Sequence, residues 1–159
     1  MTMLPFFEWC ETTAIASAIK NSPWAFAVIE SFHLLGLAVI GGAVLIVNLR
    51  LLGLAFRSQP VSEIAHEAQP WFVGSLTVML TTGVAMFLSE AVKCYYSESF
   101  SVKMVSLMLA IVFTFTIHRR LVIAEEAAMK PHRQKLVALI SLVLWFTVAA
   151  AGRWIGFSG

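Results

Sequence analysis

The apolar positions of this chain fall in four nearly unbroken runs, 34–47, 71–89, 104–117 and 136–152, separated by segments rich in charge and helix breakers. A helix on the surface of a soluble protein carries a polar face at the 3.6-residue period, and these runs carry almost none. Crossing the hydrocarbon takes about 20 residues of helix, with flanking polar groups able to snorkel. The second and fourth runs come close to that length. The first reaches it once 24–32 is added, and the third once 101–103 and 118–122 are included. The pattern predicts an all-α integral membrane fold, a four-transmembrane-helix bundle forming a single domain over 1–159. Spans are expected near 24–56, 71–92, 101–123 and 134–155.

The first run reads as a span rather than a cleaved leader, because no basic stretch precedes it and no small-residue cleavage site follows. The segment before it, 4–20, mixes Glu8, Cys10, Glu11, Thr12 and Thr13 among apolar residues. Too polar to span, it is expected to lie in the interface, making 1–22 an N-terminal amphipathic helix. Asn21-Ser22-Pro23 then breaks the chain, with Ser22 placed to cap the next helix and Pro23 at its first position.

Composition agrees with the pattern. Of 159 residues 59% are hydrophobic and 13% charged, with mean hydropathy +0.84; soluble domains carry roughly 25% charged residues. A net charge of +2, with no basic run beyond Arg119-Arg120, excludes a nucleic-acid partner and leaves the lipid bilayer as the main one. With four spans, Arg50, Arg57, Arg119, Arg120, Lys130, Arg133 and Lys135 share one side, and Lys20, Lys93, Lys103 and Arg153 the other. The positive-inside rule then places the chain in a bacterial inner membrane with both termini periplasmic. Cys10 and Cys94 fall on that oxidising side, either bridged or separately buried in helix ends. No CxxC, Walker or GxGxxG pattern occurs, so thiol-redox and nucleotide chemistries have no support.

Ionisable groups at membrane depth cost about 2.5–3.5 kcal/mol on insertion scales, so function is sought there first. Glu30 and His33 stand one turn apart on one face of the first span, with Gly36 leaving room for a flat ligand or a close helix. Glu30 is expected to orient the imidazole, as carboxylates do for metal-bound histidines; the plainer alternative is a histidine satisfied among its neighbours. Lys103 opens the third span and His118 closes it. Fifteen residues part them, about 22 Å along the axis and about 60° around it. Lys103 shares a leaflet with His33, whereas His118 lies near the inner boundary as a ligand or an interfacial residue. One iron gripped by both His33 and His118 is therefore disfavoured. His66 and His132 read as surface histidines. Glu30-x-x-His33 and Glu63-x-x-His66 both match the unit of di-iron bundles, but they fall on opposite sides of the membrane, so a di-iron site is not expected. Gly74, Thr77 and Thr81 at helical spacing, with Gly83, suggest helix packing. Glu90 has Lys93 and Lys103 as candidate partners, and Arg153 stands at the outer end of the fourth span, suited to an acidic ligand group or to anchoring.

Ser31-Phe32-His33-Leu34-Leu35-Gly36, Gly41-Gly42 and Asn48-Leu49-Arg50 resemble the first helix of HemJ and CopD-like membrane proteins. Lys103 and His118-Arg119 at the ends of the third helix are similar to HemJ as well. The likeness covers roughly 24–120 and is nearest to an uncharacterised bacterial four-helix inner-membrane family, in which an acidic residue is expected where Asn48 stands. What it implies is a b-type haem site and oxidase chemistry centred on His33 and Lys103, or the copper handling of CopD-like members.

Two function classes follow. The first is a haem b-binding membrane protein acting in electron transfer or oxidoreduction with a quinone or a redox partner protein. Its axial ligand would be His33, with Glu30, Gly36, Lys103, Arg153 and His118 as further cofactor contacts and His118 a second metal ligand. The second is copper or small-solute passage, for which His, Met and Cys are the expected ligands. Of seven Met, Met79, Met86, Met104 and Met108 read as apolar filler rather than a Met array. So small a chain, with little outside the bilayer, is also expected as a homo-oligomer or as a subunit of a larger membrane complex, with or without chemistry of its own.

Overall fold

The computed structural model describes residues 3–118, 120 and 130–157. Helices α1 (Leu4–Glu11), α2 (Ala14–Asn21), α3 (Ala25–Leu51), α4 (Val61–Ser89), α5 (Ala91–Tyr96) and α6 (Glu98–Phe113) follow in order. A π-turn (Thr114–His118) extends α6, and α7 covers Pro131–Ile155. There is no strand among the described residues. Four helices, Ala25–Leu51, Val61–Ser89, Glu98–Ile117 and Pro131–Ile155, are long and apolar enough to cross a membrane.

Their bounds differ from the apolar runs for local reasons. The first span stops at Leu51 rather than 56, because Gly53 (φ 71°) and Phe56 (φ 55°) turn the chain and Arg50 Nε donates to the Gln59 carbonyl at 2.6 Å. The second begins ten residues earlier than its apolar run, at Val61. Val61, Ile64 and Ala65 form a helical stripe within a polar sequence and bury against Val47, Leu51 and Ala138. Pro70 therefore sits inside α4, where it withdraws one backbone donor. Ser97 opens α6 three residues before 101 by accepting the Phe100 N–H at 3.3 Å. Residues 121–123, the expected end of the third span, lie outside the described residues.

The N-terminal segment is two helices rather than one. Thr13 breaks it, donating to the Cys10 carbonyl at 2.8 Å and accepting the Ala16 N–H at 3.3 Å as the cap of α2. The pair docks on one end of the bundle, α1 on α4 and α5, α2 on α3 and α4. Cys10, Ala16 and Ile19 are buried there, while Phe6, Trp9 and Ile15 face outward. Glu11 ties the pair down: it accepts the Val92 N–H at 2.8 Å, capping the neighbouring helix α5, and pairs with Lys20. Ser22 caps α3 through the Ala25 N–H at 3.3 Å, so α3 starts two residues after Pro23. Cys10 and Cys94 are both buried, free thiols.

The four long helices join in the order α4–α3–α7–α6, and the ring does not close. α3 packs along α4, α7 along both α3 and α6, but α4 and α6 do not pack along their lengths. They meet through rings at two heights: Phe87 stacks on Phe100 (5.5 Å, 14°), and Phe72 meets Phe115 of the π-turn edge-on at 5.9 Å. The middle and the end away from α1 and α2 are filled by Ile40, Val44, Phe72, Leu76, Trp145 and Val148. Trp145 Nε1 donates to Thr114 Oγ1 at 3.2 Å, fixing the π-turn to α7. Asn48, buried in α3, donates to Ser141 of α7 at 3.1 Å and to the Val44 carbonyl at 2.8 Å. A bond between spans of this kind contributes about 0.6 kcal/mol on average.

Burial alone would raise the Glu11 carboxyl, but Lys20 and the Val92 N–H outweigh it and hold it below its ordinary value. Its contribution to docking is thus complete above the ordinary carboxylate pKa and is lost as pH falls through the lowered one. Glu11→Ala should speed hydrogen exchange at the Val92 amide by roughly tenfold, the scale of one hydrogen bond to a charged group. Unchanged protection would show that Glu11 does not hold α1 against α5.

Candidate functional site

Glu30, His33, Lys103 and Arg153, ionisable groups carried by three of the four long apolar helices, gather at the end capped by α1, α2 and α5. His33, 9% exposed, projects from α3 toward α4, where its Nδ1 lies 2.9 Å from Thr82 Oγ1. The Thr82 hydroxyl already donates its hydrogen to the Val78 carbonyl at 2.6 Å. It can then only accept from His33, so Nδ1 carries the proton and Nε2 keeps its lone pair. Gly83 gives the ring its room, since a Cβ there would stand 3.3 Å from His33 Cε1.

Lys103 reaches from α6 to α7. A Cβ on Gly152 would come within 3.3 Å of both its Cε and Nζ, so the bare backbone of α7 is what admits the ammonium. No carboxylate stands within ion-pair distance of Nζ among the described residues. Glu90 pairs with Lys93 instead, at 3.8 Å. Arg153 lies over the Phe157 ring at 4.8 Å.

His33 and Lys103 are among the residues that line both of two adjoining chambers. A polar one of about 360 Å³ extends toward Glu30, Glu90, Cys94 and Arg153. An apolar one of about 350 Å³ fills the gap between α4 and α6, against Leu76, Leu80, Val84, Met104 and Leu107. Each falls within the roughly 300–1,000 Å³ of small-molecule sites. Phe7 of α1, packed on Phe87 and Tyr95, covers the capped end of the apolar chamber.

A family model matches residues 6–158. The chain belongs to DUF6644, a family of unknown function. No curated protein and no solved structure matches it.

Of the six cofactor contacts expected from the sequence, four meet here: Glu30, His33, Lys103 and Arg153 all line the polar chamber. Glu30 does not orient the imidazole, because Thr82 holds Nδ1. Gly36 lines neither chamber; its bare face lets α4 approach, with Met79 Cγ 3.0 Å and the Ser75 carbonyl oxygen 3.4 Å from where a Cβ would sit. His118 ends the π-turn next to Ile117, which packs with Val47 and Ala138 at the opposite end of the bundle. The His118 side chain, and Arg119, lie outside the described residues. His66 and His132 are exposed. Met79 and Met86, read as filler, line the polar chamber with His33. Among the described residues no group of three or more His, Cys, Asp or Glu side chains is placed to hold a metal ion.

Thr82 and Gly152 are site positions that the sequence did not single out, and Gly83, expected only to pack helices, makes room for the His33 ring. Helical spacing drew Gly74, Thr77 and Thr81 together as a packing face, yet that face points outward. The Thr77 and Thr81 hydroxyls donate to the Val73 and Thr77 carbonyls of their own helix. The usable signal was the adjacent pair Thr82-Gly83, a hydroxyl beside a missing side chain.

Thr82→Val removes the acceptor at Nδ1 while keeping the side-chain volume. The His33 tautomer ratio, read from imidazole nitrogen shifts, should move by about tenfold toward the Nε2–H form, the equivalent of about one hydrogen bond. His66 should not change. An unaltered His33 ratio would mean that Thr82 does not set the tautomer.

Proposed function

We propose that the chain is a haem b-binding protein of the bacterial inner membrane, acting in electron transfer or oxidoreduction with a quinone or a redox partner protein. The observation that carries this reading is the imidazole of His33, whose Nδ1–H is committed to Thr82 and whose unprotonated Nε2 belongs to a ring lining both chambers. Axial ligation of haem needs one such nitrogen with its other N–H anchored. A single ligand suffices for this, so the lack of a three-residue metal cluster among the described residues is compatible with it. The cations Lys103 and Arg153, which line the polar chamber with His33, suit the propionates of the same group. Haem, when bound, supplies a one-electron iron centre. The chain's own residues orient the ligand nitrogen, hold the carboxylates and keep water away through α1. The likeness of the first helix to HemJ-type proteins points the same way.

Copper handling is the second reading, because Met79, Met86 and Cys94 line the chamber with His33 and soft ligands suit copper(I). Against it, burial first and then Glu90 push the Cys94 thiol up to about 11, so it stays protonated at neutral pH. The visible spectrum of protein purified from membranes separates the two. A Soret band should be present in wild type and in His66→Ala and be lost in His33→Ala. Equal absorbance in wild type and His33→Ala would remove His33 as the ligand, and a colourless protein that retains copper would favour the second reading.

The distribution of Lys and Arg supports a topology with both termini periplasmic. Reporter fusions after Gly159 should be active when the reporter requires export and silent when it requires the cytoplasm. The reverse pattern would invert the chain and place the His33 site near the cytoplasmic face.

A further inference from the structure

The two ends of the bundle differ in charge. Among the described residues, carboxylates outnumber cations by five to four at the capped end. At the opposite end five exposed cations, among them Arg57, Arg133 and Lys135, stand against two exposed carboxylates, Glu63 and Glu67. An anionic partner belongs at this second end.

The turn between α3 and α4, 52–60, is where that charge meets apolar surface. Gly53 (φ 71°) and Phe56 (φ 55°) both have positive φ, which glycine adopts freely and a bulky side chain rarely. Strain of this kind persists where the surroundings hold it. Yet Phe56 is 47% exposed, and Leu54 near it 67%. Arg57 closes the turn by donating its Nε–H to the Gly53 carbonyl. That bond orients the guanidinium and leaves its two terminal nitrogens without a partner among the described residues. The start of α7 adjoins the same region, because Ala138 shares a buried cluster with Leu51 and Val61, which flank the turn. Arg133 and Lys135 stand just before Ala138 on that helix.

Both parts of this surface point to one chemistry. The planar fork of an arginine matches phosphate bidentately, and basic groups at the end of a span attract anionic headgroups. A soluble anion would leave Leu54 and Phe56 in water, whereas a phospholipid brings an acyl chain alongside its phosphate.

We propose that the α3–α4 turn is a headgroup site for an anionic phospholipid of the adjoining leaflet. The phosphate rests on the terminal nitrogens of Arg57, and the acyl chain covers Leu54 and Phe56. Arg133 and Lys135 supply the surrounding positive potential. Contact with lipid then offsets the strain at Phe56. The site lies at the opposite end of the bundle from His33 and does not depend on haem.

Native mass spectrometry of the full chain, released from nanodiscs of mixed phosphatidylglycerol and phosphatidylcholine, tests this. Wild type should retain phosphatidylglycerol over phosphatidylcholine by about tenfold, the scale of one hydrogen bond to a charged group. Arg57→Gln should bring the ratio near parity, and Arg120→Gln, at the same end but off the turn, should leave it unchanged. Phe56→Gly separates lipid binding from folding. Glycine relaxes the backbone at φ 55°, so unfolding in detergent should come at the same temperature or higher, while phosphatidylglycerol retention falls severalfold. Should Arg57→Gln fail to fold, retention in Phe56→Gly decides. Equal retention of the two lipids by wild type, unchanged retention in Phe56→Gly, or equal losses in Arg57→Gln and Arg120→Gln would overturn the proposal. Displacement of the lipid by millimolar inorganic phosphate would also overturn it, assigning the turn to a soluble anion. Cross-linking through Phe56 to a second copy, with no lipid retained, would assign it instead to an interface between chains.

Discussion

The seam between α3 and α4 sets the geometry on which everything else depends. In a hydrocarbon solvent the backbone of each helix is satisfied internally, and lipid is as apolar as leucine, so close packing joins the spans rather than hydrophobic exclusion. Gly36 permits the tightest such packing among the glycines, since a Cβ there would stand only 3.0 Å from Met79 Cγ. Because the helices are antiparallel, moving one turn toward the start of α3 moves one turn toward the end of α4. His33 therefore arrives at Thr82 and Gly83, where the ring finds an acceptor for Nδ1 and space for Cε1. Gly36 thus shapes the site without touching a ligand.

One well-made seam leaves the opposite side of the ring to be explained. α7 bridges α3 and α6 through Trp145, Val148 and the Asn48–Ser141 bond, and these fill the half of the bundle remote from α1 and α2. In the capped half the rings of Phe87 and Phe100 keep α4 and α6 apart. Voids forfeit dispersion contacts, and an intramembrane ammonium is costly. Both costs fall together around Lys103, whereas in the other half the polar groups between helices, Asn48 with Ser141 and Trp145 with Thr114, are hydrogen-bonded to each other. The coincidence of loose packing and a half-buried charge is what separates a candidate site from an imperfect core.

Much of this was legible in the pattern of residues, for identifiable reasons. Spans announce themselves by uninterrupted apolar length, and all four were placed, as was the common level of His33 and Lys103 from helix register alone. Boundaries were less legible. The first turns of α4 are polar and contain Pro70, and only the Ile64–Ala65 stripe, which needs Val47 and Leu51 opposite it, reveals the helix. Partners across helices were hidden as well. Glu30 is His33's neighbour by spacing, but Thr82 is forty-nine positions away in sequence and becomes its partner only through the α3–α4 seam. Likewise Thr77 and Thr81 satisfy themselves on their own helix, so a hydroxyl's spacing does not say which face is inward. What period and propensity cannot carry is the identity of the side chain that a neighbouring helix presents.

The cap decides from which direction the chambers are reached. Phe7 sits over the apolar chamber, pinned edge-on by Phe87 at 5.6 Å and Tyr95 at 5.1 Å, and Glu11 fastens the following turn to the start of α5. A ligand from the aqueous side would have to displace aromatic contacts and a charge-assisted hydrogen bond together. A ligand from the bilayer meets only Leu80, Val84 and Met104, none of which is bonded across the gap. The lower barrier is therefore lateral, and it favours molecules already dissolved in the membrane over soluble ions. The polar chamber, with Glu90 and Lys93 paired with each other and Cys94 held neutral, meets its contents through Glu30, His33, Lys103 and Arg153, and these four set its electrostatics.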